Sequence, residues 1–300
     1  MNGMHGIIFS YEKKTGLREL IEQRIHGSIP FGGNYRVVDF MLSNMVNAGV
    51  RDVGVIMHGK CQSMMDHLRS GKSWDLSRSF GGLTLLPVFA YNSARGNGRF
   101  RGKLEALDVV KDYLRHIRQD YVLLADSDVA LNIDLKAMLE SHIKAGADIT
   151  VVCAPSTGDG LYLNLDETGR VMEAVEEQHQ GLRCLQIFLL RTELLLSLVE
   201  RFVSRHEYSF QGCVLQGLTK ELHIQGYAFH GFAAHITDVA GYYASSMRLL
   251  DPAVRQDLFC PDRPIYAKEN DAASTYMDPQ GGCVNSLVDD GCDIQGTVKN

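Results

Sequence analysis

Three features of the sequence predict an α/β fold with a mixed, mainly parallel sheet. Short apolar runs at 6–10, 53–57 and 121–125 have the length and flanks of buried strands. They alternate with stretches whose apolar residues recur at helical spacing: Val37, Val38, Phe40, Met41, Leu42, Met45 and Val46, then Leu104, Leu107, Val110, Leu114 and Ile117. Finally, Pro30, Gly32 and Gly33 break the chain into a tight loop directly before the first of these helices. Backbone there can come close to a phosphate or sugar, with Arg36 beside it as a fixed planar cation; an ordinary loop before a core helix is the plain alternative.

The other elements follow in order. Residues 17–24 and 61–68 read as short helices, and 83–88 as a third strand ended by Pro87. The loop 91–101 carries Arg95, Arg99 and Arg101, which either grip an anion or stand solvated. Residues 103–117 read as one amphipathic helix lying on the sheet. Strand 121–125 runs into Asp126, Ser127 and Asp128, and carboxylates at the carboxyl end of such a strand suit Mg²⁺. A plain Asp-Ser-Asp turn before a helix from Ile133 explains the same residues. A strand at 148–154, a hairpin of 162–165 and 171–175, a strand at 186–190, and helices at 194–203 and 242–250 complete a first domain, 1–250. Pro252, Pro261 and Pro264 mark 251–264 as a linker, which leaves 265–300 as a second unit.

Composition narrows the function classes. With 45% apolar and 22% charged residues and a formal charge of −6, the 300-residue chain has an ordinary globular make-up and no basic excess, so no nucleic-acid or anionic-membrane partner is suggested. Seven scattered cysteines, odd in number and without a C-x-x-C pair, point to reduced thiols. The N-terminal apolar run is too short for a signal peptide, and no stretch approaches the roughly 20 apolar residues of a membrane helix. A cytoplasmic location is expected.

P-F-G-G-x-Y-R followed by V-D-F-x-L-S-N resembles the signature of ADP-glucose pyrophosphorylases (glucose-1-phosphate adenylyltransferases), which make ADP-glucose from ATP and glucose-1-phosphate for glycogen synthesis. Arg51 to Gly54, Phe100-Arg101-Gly102, the stretch 121–134, Asp238-Val239 and NSLVDDGCDIQG at 285–296 resemble further family segments, in the family's order. The resemblance implies a Rossmann-like nucleotidyltransferase domain followed by the start of a left-handed parallel β-helix. Such a coil cannot bury its face without stacked neighbours, so with the sequence stopping at Asn300 a truncation or a covering element is expected. The resemblance also implies roles: Arg24, Gly32, Gly33, Arg36, Arg101 and Gly102 in substrate or effector binding, and Asp128 and Asp238 as carboxylates for Mg²⁺.

The chain departs from the family where the chemistry lies. Tyr11, Glu12 and Lys14 replace glycines of the family's G-G-x-G-[ST]-R turn, and Gly16 replaces its arginine. Side chains at such a turn fill the space of a triphosphate. His26 replaces a phosphate-facing lysine and brings no permanent charge; Asn34 replaces another lysine. In Y-R-G-T-A-D-A-V, Lys103, Leu104 and Glu105 are substitutions, and Asp126 is an extra carboxylate beside the G-D-H aspartate, Asp128. LQIFLL, from Leu185, replaces the end of S-M-G-I-Y-V-F, and Thr237 replaces the arginine of W-R-D-V-G. Glu177 stands in place of a lysine that grips the sugar phosphate, and like charges at about 4 Å repel by roughly 4 kcal/mol at an effective dielectric near 20.

The first expectation is therefore a regulatory, catalytically weak or inactive subunit, similar to the D-type subunits of this family, in a hetero-oligomer with a catalytic ADP-glucose pyrophosphorylase subunit and open to a sugar-phosphate effector. The second is an active sugar-phosphate nucleotidyltransferase with an altered substrate grip, using Asp128 and Asp238. The third is a sugar-phosphate sensor without turnover, using Arg24, Arg36 and the loop up to Arg101.

Overall fold

The structure is a computed structural model that describes residues 3–11, 16–88, 100–176, 179–269 and 272–299. Along the chain, β1 (Met4–Tyr11), α1 (Val37–Asn47), β2 (Asp52–His58), α2 (Gln62–Leu68) and β3 (Gly82–Pro87) precede α3 (Lys103–Val109), α4 (Lys111–Arg115), β4 (Tyr121–Asp126), β5 (Val129–Leu131) and α5 (Leu135–Ala145). Then come β6 (Ile149–Thr157), β7 (Tyr162–Leu165), β8 (Val171–Val175), β9 (Gln180–Arg191), α6 (Thr192–Val203), β10 (Ile224–Ala228), β11 (Ala233–His235), α7 (Val239–Arg248) and α8 (Pro252–Leu258).

β1 and β4 are buried along their whole length because packed residues cover both faces of the sheet they centre. Its path is β10-β6-β9-β4-β1-β2-β3. β1 lies parallel to β2 and β4, β2 to β3, and β10 to β6, while β9 runs antiparallel to β4 and β6. The sheet is thus mixed and mostly parallel, as expected. Successive residues of β1 serve opposite cores: Ile8 packs with Met41, Met45 and Met138, whereas Ile7 and Phe9 pack with Leu104, Leu195 and Phe202. A third cluster joins Phe31 and Phe40 to Phe232, Ile236, Leu249 and Leu258.

Two stretches differ from their sequence reading. The helix expected over 103–117 is broken at Val110, whose N–H turns to Leu107 O at 3.1 Å and to Asp108 O; the β-branched pair Val109-Val110 crowds a helical turn. Within 251–264, α8 begins at Pro252 behind the N-cap Asp251, whose carboxylate accepts from Ala253 N at 2.9 Å.

Beyond it lie β12 (Tyr276–Met277), β13 (Gly282–Val284), β14 (Asp293–Ile294) and β15 (Thr297–Lys299). These pair in parallel, Tyr276 with Asp293 and Gly282 with Thr297, so one turn of chain lies on another. Among the described residues no helix is long and apolar enough to cross a membrane.

Candidate functional site

β1 continues through Tyr11, the position of the first glycine of the family's turn, and Tyr11 pairs with His58 on β2. The Tyr11 ring is buried, edge-on to Phe9 at 6.2 Å and to Phe100 at 5.3 Å. Glu12 and Lys14 lie outside the described residues. Gly16 N donates to Thr237 O at 3.0 Å and Gly16 O accepts from Val239 N at 3.3 Å. A Cβ at Gly16 would stand 2.8 Å from that of Asp238, so only glycine permits this approach. The structure thus brings Gly16 and Asp238 together.

Three departures from the family motifs, distant in sequence, form one buried cluster. Lys103, entering α3, donates from Nζ to Asp126 Oδ2 at 3.0 Å and to Gln186 Oε1 at 2.7 Å. All three side chains are under a tenth exposed, and Nζ lies 5.7 Å and 5.6 Å from the ring centroids of Phe9 and Phe188. Gln186 occupies the glycine position of S-M-G-I-Y-V-F and holds a left-handed backbone, φ 61°, next to the bulge that shifts the β6–β9 register after Val151. Its amide nitrogen faces Cys184 Sγ at 3.5 Å, and burial pushes that thiol up to about 12. A charge-assisted network therefore occupies the carboxyl end of β4. Sequence reasoning marked Lys103 and Asp126 singly; that both depart from the motifs together was the signal of a pair.

Asp128 is buried beside His235, whose Nε2 lies 3.8 Å from its Oδ2, and its carbonyl accepts from Ile236 N at 2.9 Å. Ser127 ties this loop to β1 through Ser10 Oγ at 2.9 Å and Phe9 O at 3.1 Å. His26 sits in a buried 3-10 turn against it, where a Cβ on the adjoining Gly27 would meet Ser127 Oγ at 2.6 Å. Asp238 is the N-cap of α7, accepting from Gly241 N at 2.7 Å. Among the described residues no three His, Cys, Asp or Glu side chains converge as a metal cage. The carboxylates on offer to Mg²⁺ are Asp128 and Asp238, the second already capping a helix, and one or two carboxylates hold Mg²⁺ only with substrate phosphates completing its shell.

Most of the expected binding residues are held by the protein itself. Arg101 pairs with the buried Glu105 through Nε at 2.7 Å and lies 3.7 Å over the Tyr208 ring. A Cβ on Gly102 would come within 2.1 Å of Tyr208 O, so that position accepts only glycine. Arg36 donates to Ser63 O at 2.6 Å and Oγ at 2.9 Å, while Asp39 caps the backbone N of Arg36 and meets His67 Nε2 at 2.7 Å. Burial raises the Asp39 carboxyl, with His67 and Arg36 opposing, and burial lowers Arg36. Gly32 and Gly33, with φ of 74° and 98°, turn the loop past Phe259 and Asp289, and Gly33 stays exposed. Arg24 is half-buried, close enough to Arg36 and Tyr242 to be felt by both, and makes no ion pair or hydrogen bond among the described residues. Arg95, Arg99 and Glu177 lie outside the described residues.

Ser43 and Asn47, on α1, anchor the chain beyond α8. Ser43 Oγ accepts from Tyr266 N at 2.8 Å and Asn47 Nδ2 donates to Pro264 O at 3.0 Å. Asn44 bridges Leu131 O and Ile133 N at 2.9 and 3.2 Å, and Asn132 Nδ2 donates to Leu258 O and Arg263 O at 2.9 and 2.8 Å. Nothing in their spacing announces these partners.

The family model described as nucleotidyl transferase matches residues 6–176, more than half of the chain. The chain belongs to the nucleotidyl transferase family. Among this family's proteins it is similar to the glycogen biosynthesis protein GlgD of Bacillus subtilis (strain 168), 34% identical over 300 residues that cover 100% of this chain and 78% of the relative. GlgD of Geobacillus stearothermophilus is 36% identical over 301 residues, covering 100% and 79%. The glucose-1-phosphate adenylyltransferase of Geobacillus stearothermophilus is 29% identical over 293 residues, covering 94% and 75%. This nucleotidyl transferase chain is therefore a relative of GlgD proteins along its whole length.

Proposed function

We propose that this chain is a regulatory, weakly catalytic or non-catalytic subunit that acts with a catalytic glucose-1-phosphate adenylyltransferase chain in glycogen biosynthesis. The observation that carries the reading is the buried Lys103–Asp126–Gln186 cluster, which fills with protein charge the end of the sheet where a nucleotidyl transferase of this fold would seat its anionic reactants. The Tyr11 ring, packed where a glycine turn would cradle phosphate, acts in the same direction. Losing a charge-assisted contact costs about 1.5 to 3 kcal/mol, and several together slow a reaction by orders of magnitude. Half-buried Arg24 beside Arg36 supports a sugar-phosphate effector, since it is a guanidinium with no ion pair among the described residues.

The second reading, an active transferase with an altered grip, has Asp128 and Asp238 in its favour, with nucleotide phosphates completing the shell of Mg²⁺. Pyrophosphate release from ATP and glucose-1-phosphate decides between them, measured with the chain alone and then with a catalytic subunit, with and without sugar phosphates. Negligible turnover alone with enhancement of the partner supports the proposal. Turnover by the chain alone at the partner's rate overturns it.

A further inference from the structure

The opposite edge of the sheet, at the amino ends of β1, β2 and β3, holds a cavity of about 360 Å³ lined by His5, Asp52, Phe80, Thr84, Tyr113 and Gln119 among others. We propose that this cavity binds one uncharged, polyhydroxylated sugar ring, such as a glucosyl unit, with its apolar face against Phe80.

The walls are polar and built. Asp52 accepts from Gly82 N at 2.9 Å through one oxygen and from the Gln119 amide through the other, so each oxygen keeps a lone pair for a hydroxyl. His5 is 4% exposed; its Nε2 meets Tyr113 Oη at 2.9 Å, and the Gln119 side chain lies within reach of the ring as a second hydrogen-bonding group. Burial lowers His5 to about 4 and pushes Tyr113 up to about 12, so at neutral pH both are uncharged groups. Tyr113 can pack this close to β2 because residue 54 is glycine; a Cβ there would come 2.8 Å from the ring.

Charge selects the ligand class. The lining holds the half-buried Asp52 carboxylate, and its one arginine, Arg118, is exposed in the loop before β4. A phosphate would face Asp52 without a buried cation, whereas hydroxyls need none. Phe80 is 94% exposed, and a single exposed aromatic means little by itself, but this one belongs to the lining of the cavity. The volume is at the small end for a ligand pocket and suits a single ring.

Calorimetry on the full chain tests this, with maltotriose, glucose and glucose-1-phosphate as probes, the first two separating a chain end from a free monosaccharide as the source of the ring. Maltotriose or glucose is expected to bind in the millimolar range or tighter, and Phe80→Ala to weaken binding about tenfold, with Thr84→Val also weakening it. Phe80 is exposed, so its removal leaves the fold intact, checked by circular dichroism. Absence of binding by both neutral sugars overturns the proposal. So does affinity unchanged in both variants, or tighter Phe80-dependent binding of glucose-1-phosphate than of maltotriose. None of these outcomes depends on whether the chain turns over ATP.

Discussion

Lys103 Nζ donates to Asp126 Oδ2 across 3.0 Å, joining the start of α3 to the end of β4 with both groups buried. Removing one partner of such a pair leaves an uncompensated charge, which costs about 3–5 kcal/mol, while replacing both by apolar groups is often near neutral. Lys103→Met is therefore expected to destabilise by about 3 kcal/mol or more, and Lys103→Met with Asp126→Leu to recover most of that loss. Urea denaturation of the two singles and the double checks it, and additive losses would show that the pair is uncoupled.

Acid should weaken the fold through buried histidines. Burial lowers His5 to about 4, and burial with Arg191 lowers His142 to about 4, from an ordinary 6.5. Between these values the unfolded chain binds protons that the folded chain does not, so stability present above about pH 6.5 is lost as pH falls toward 4. His142 packs edge-on to Tyr121 at 5.4 Å and bonds Thr150 Oγ1 through Nδ1 at 2.8 Å, away from the sites discussed above. His142→Asn is expected to lose less stability than the unsubstituted chain between pH 7.5 and pH 5, by roughly half of the histidine-linked slope. Equal slopes in denaturation at the two pH values would remove His142 as a cause.

The segment beyond α8 should loosen when its anchors are cut. Ser43 Oγ accepts from the Tyr266 N–H at 2.8 Å, and a neutral hydrogen bond contributes about 1 kcal/mol. Ser43→Ala is expected to speed exchange of the Tyr266 amide about fivefold while leaving the amides of β4 unchanged. Unaltered exchange at Tyr266 would mean that other contacts hold this segment.

What the sequence disclosed follows from the range of each interaction. Buried strands such as 121–125 declare themselves by local apolar runs, and the hairpin Tyr162–Leu165 with Val171–Val175 by its turn residues. β5 is only Val129–Leu131, too short for a period, and exists because Ala130 pairs with Ala234 more than a hundred residues on. Gln186 holds its left-handed backbone where the family motif has glycine, but its partner Lys103 is 83 residues away and no local pattern names it. Prolines read as a linker because they break helices, yet Pro252 begins one, where its missing N–H is not needed. The residues of the site were legible as departures from motifs. Their pairing was tertiary.

Asp238 offers the sharpest division between a structural and a metal-binding carboxylate. As the N-cap of α7 it accepts from Gly241 N at 2.7 Å, a role that serine also fills. Asp238→Ala is then expected to cost about 1 kcal/mol and Asp238→Ser only a few tenths, read as shifts in the denaturation midpoint. A ligand that binds the folded chain raises its melting temperature, so with two carboxylates as the donor set about 5 mM Mg²⁺ alone should move the midpoint by under about 1 °C. If serine were as damaging as alanine and Mg²⁺ raised the midpoint by several degrees, Asp238 would be a ligand first and a cap second. That result would favour the active-transferase reading, because a bound metal is what in-line attack of a sugar phosphate on a nucleotide chiefly needs.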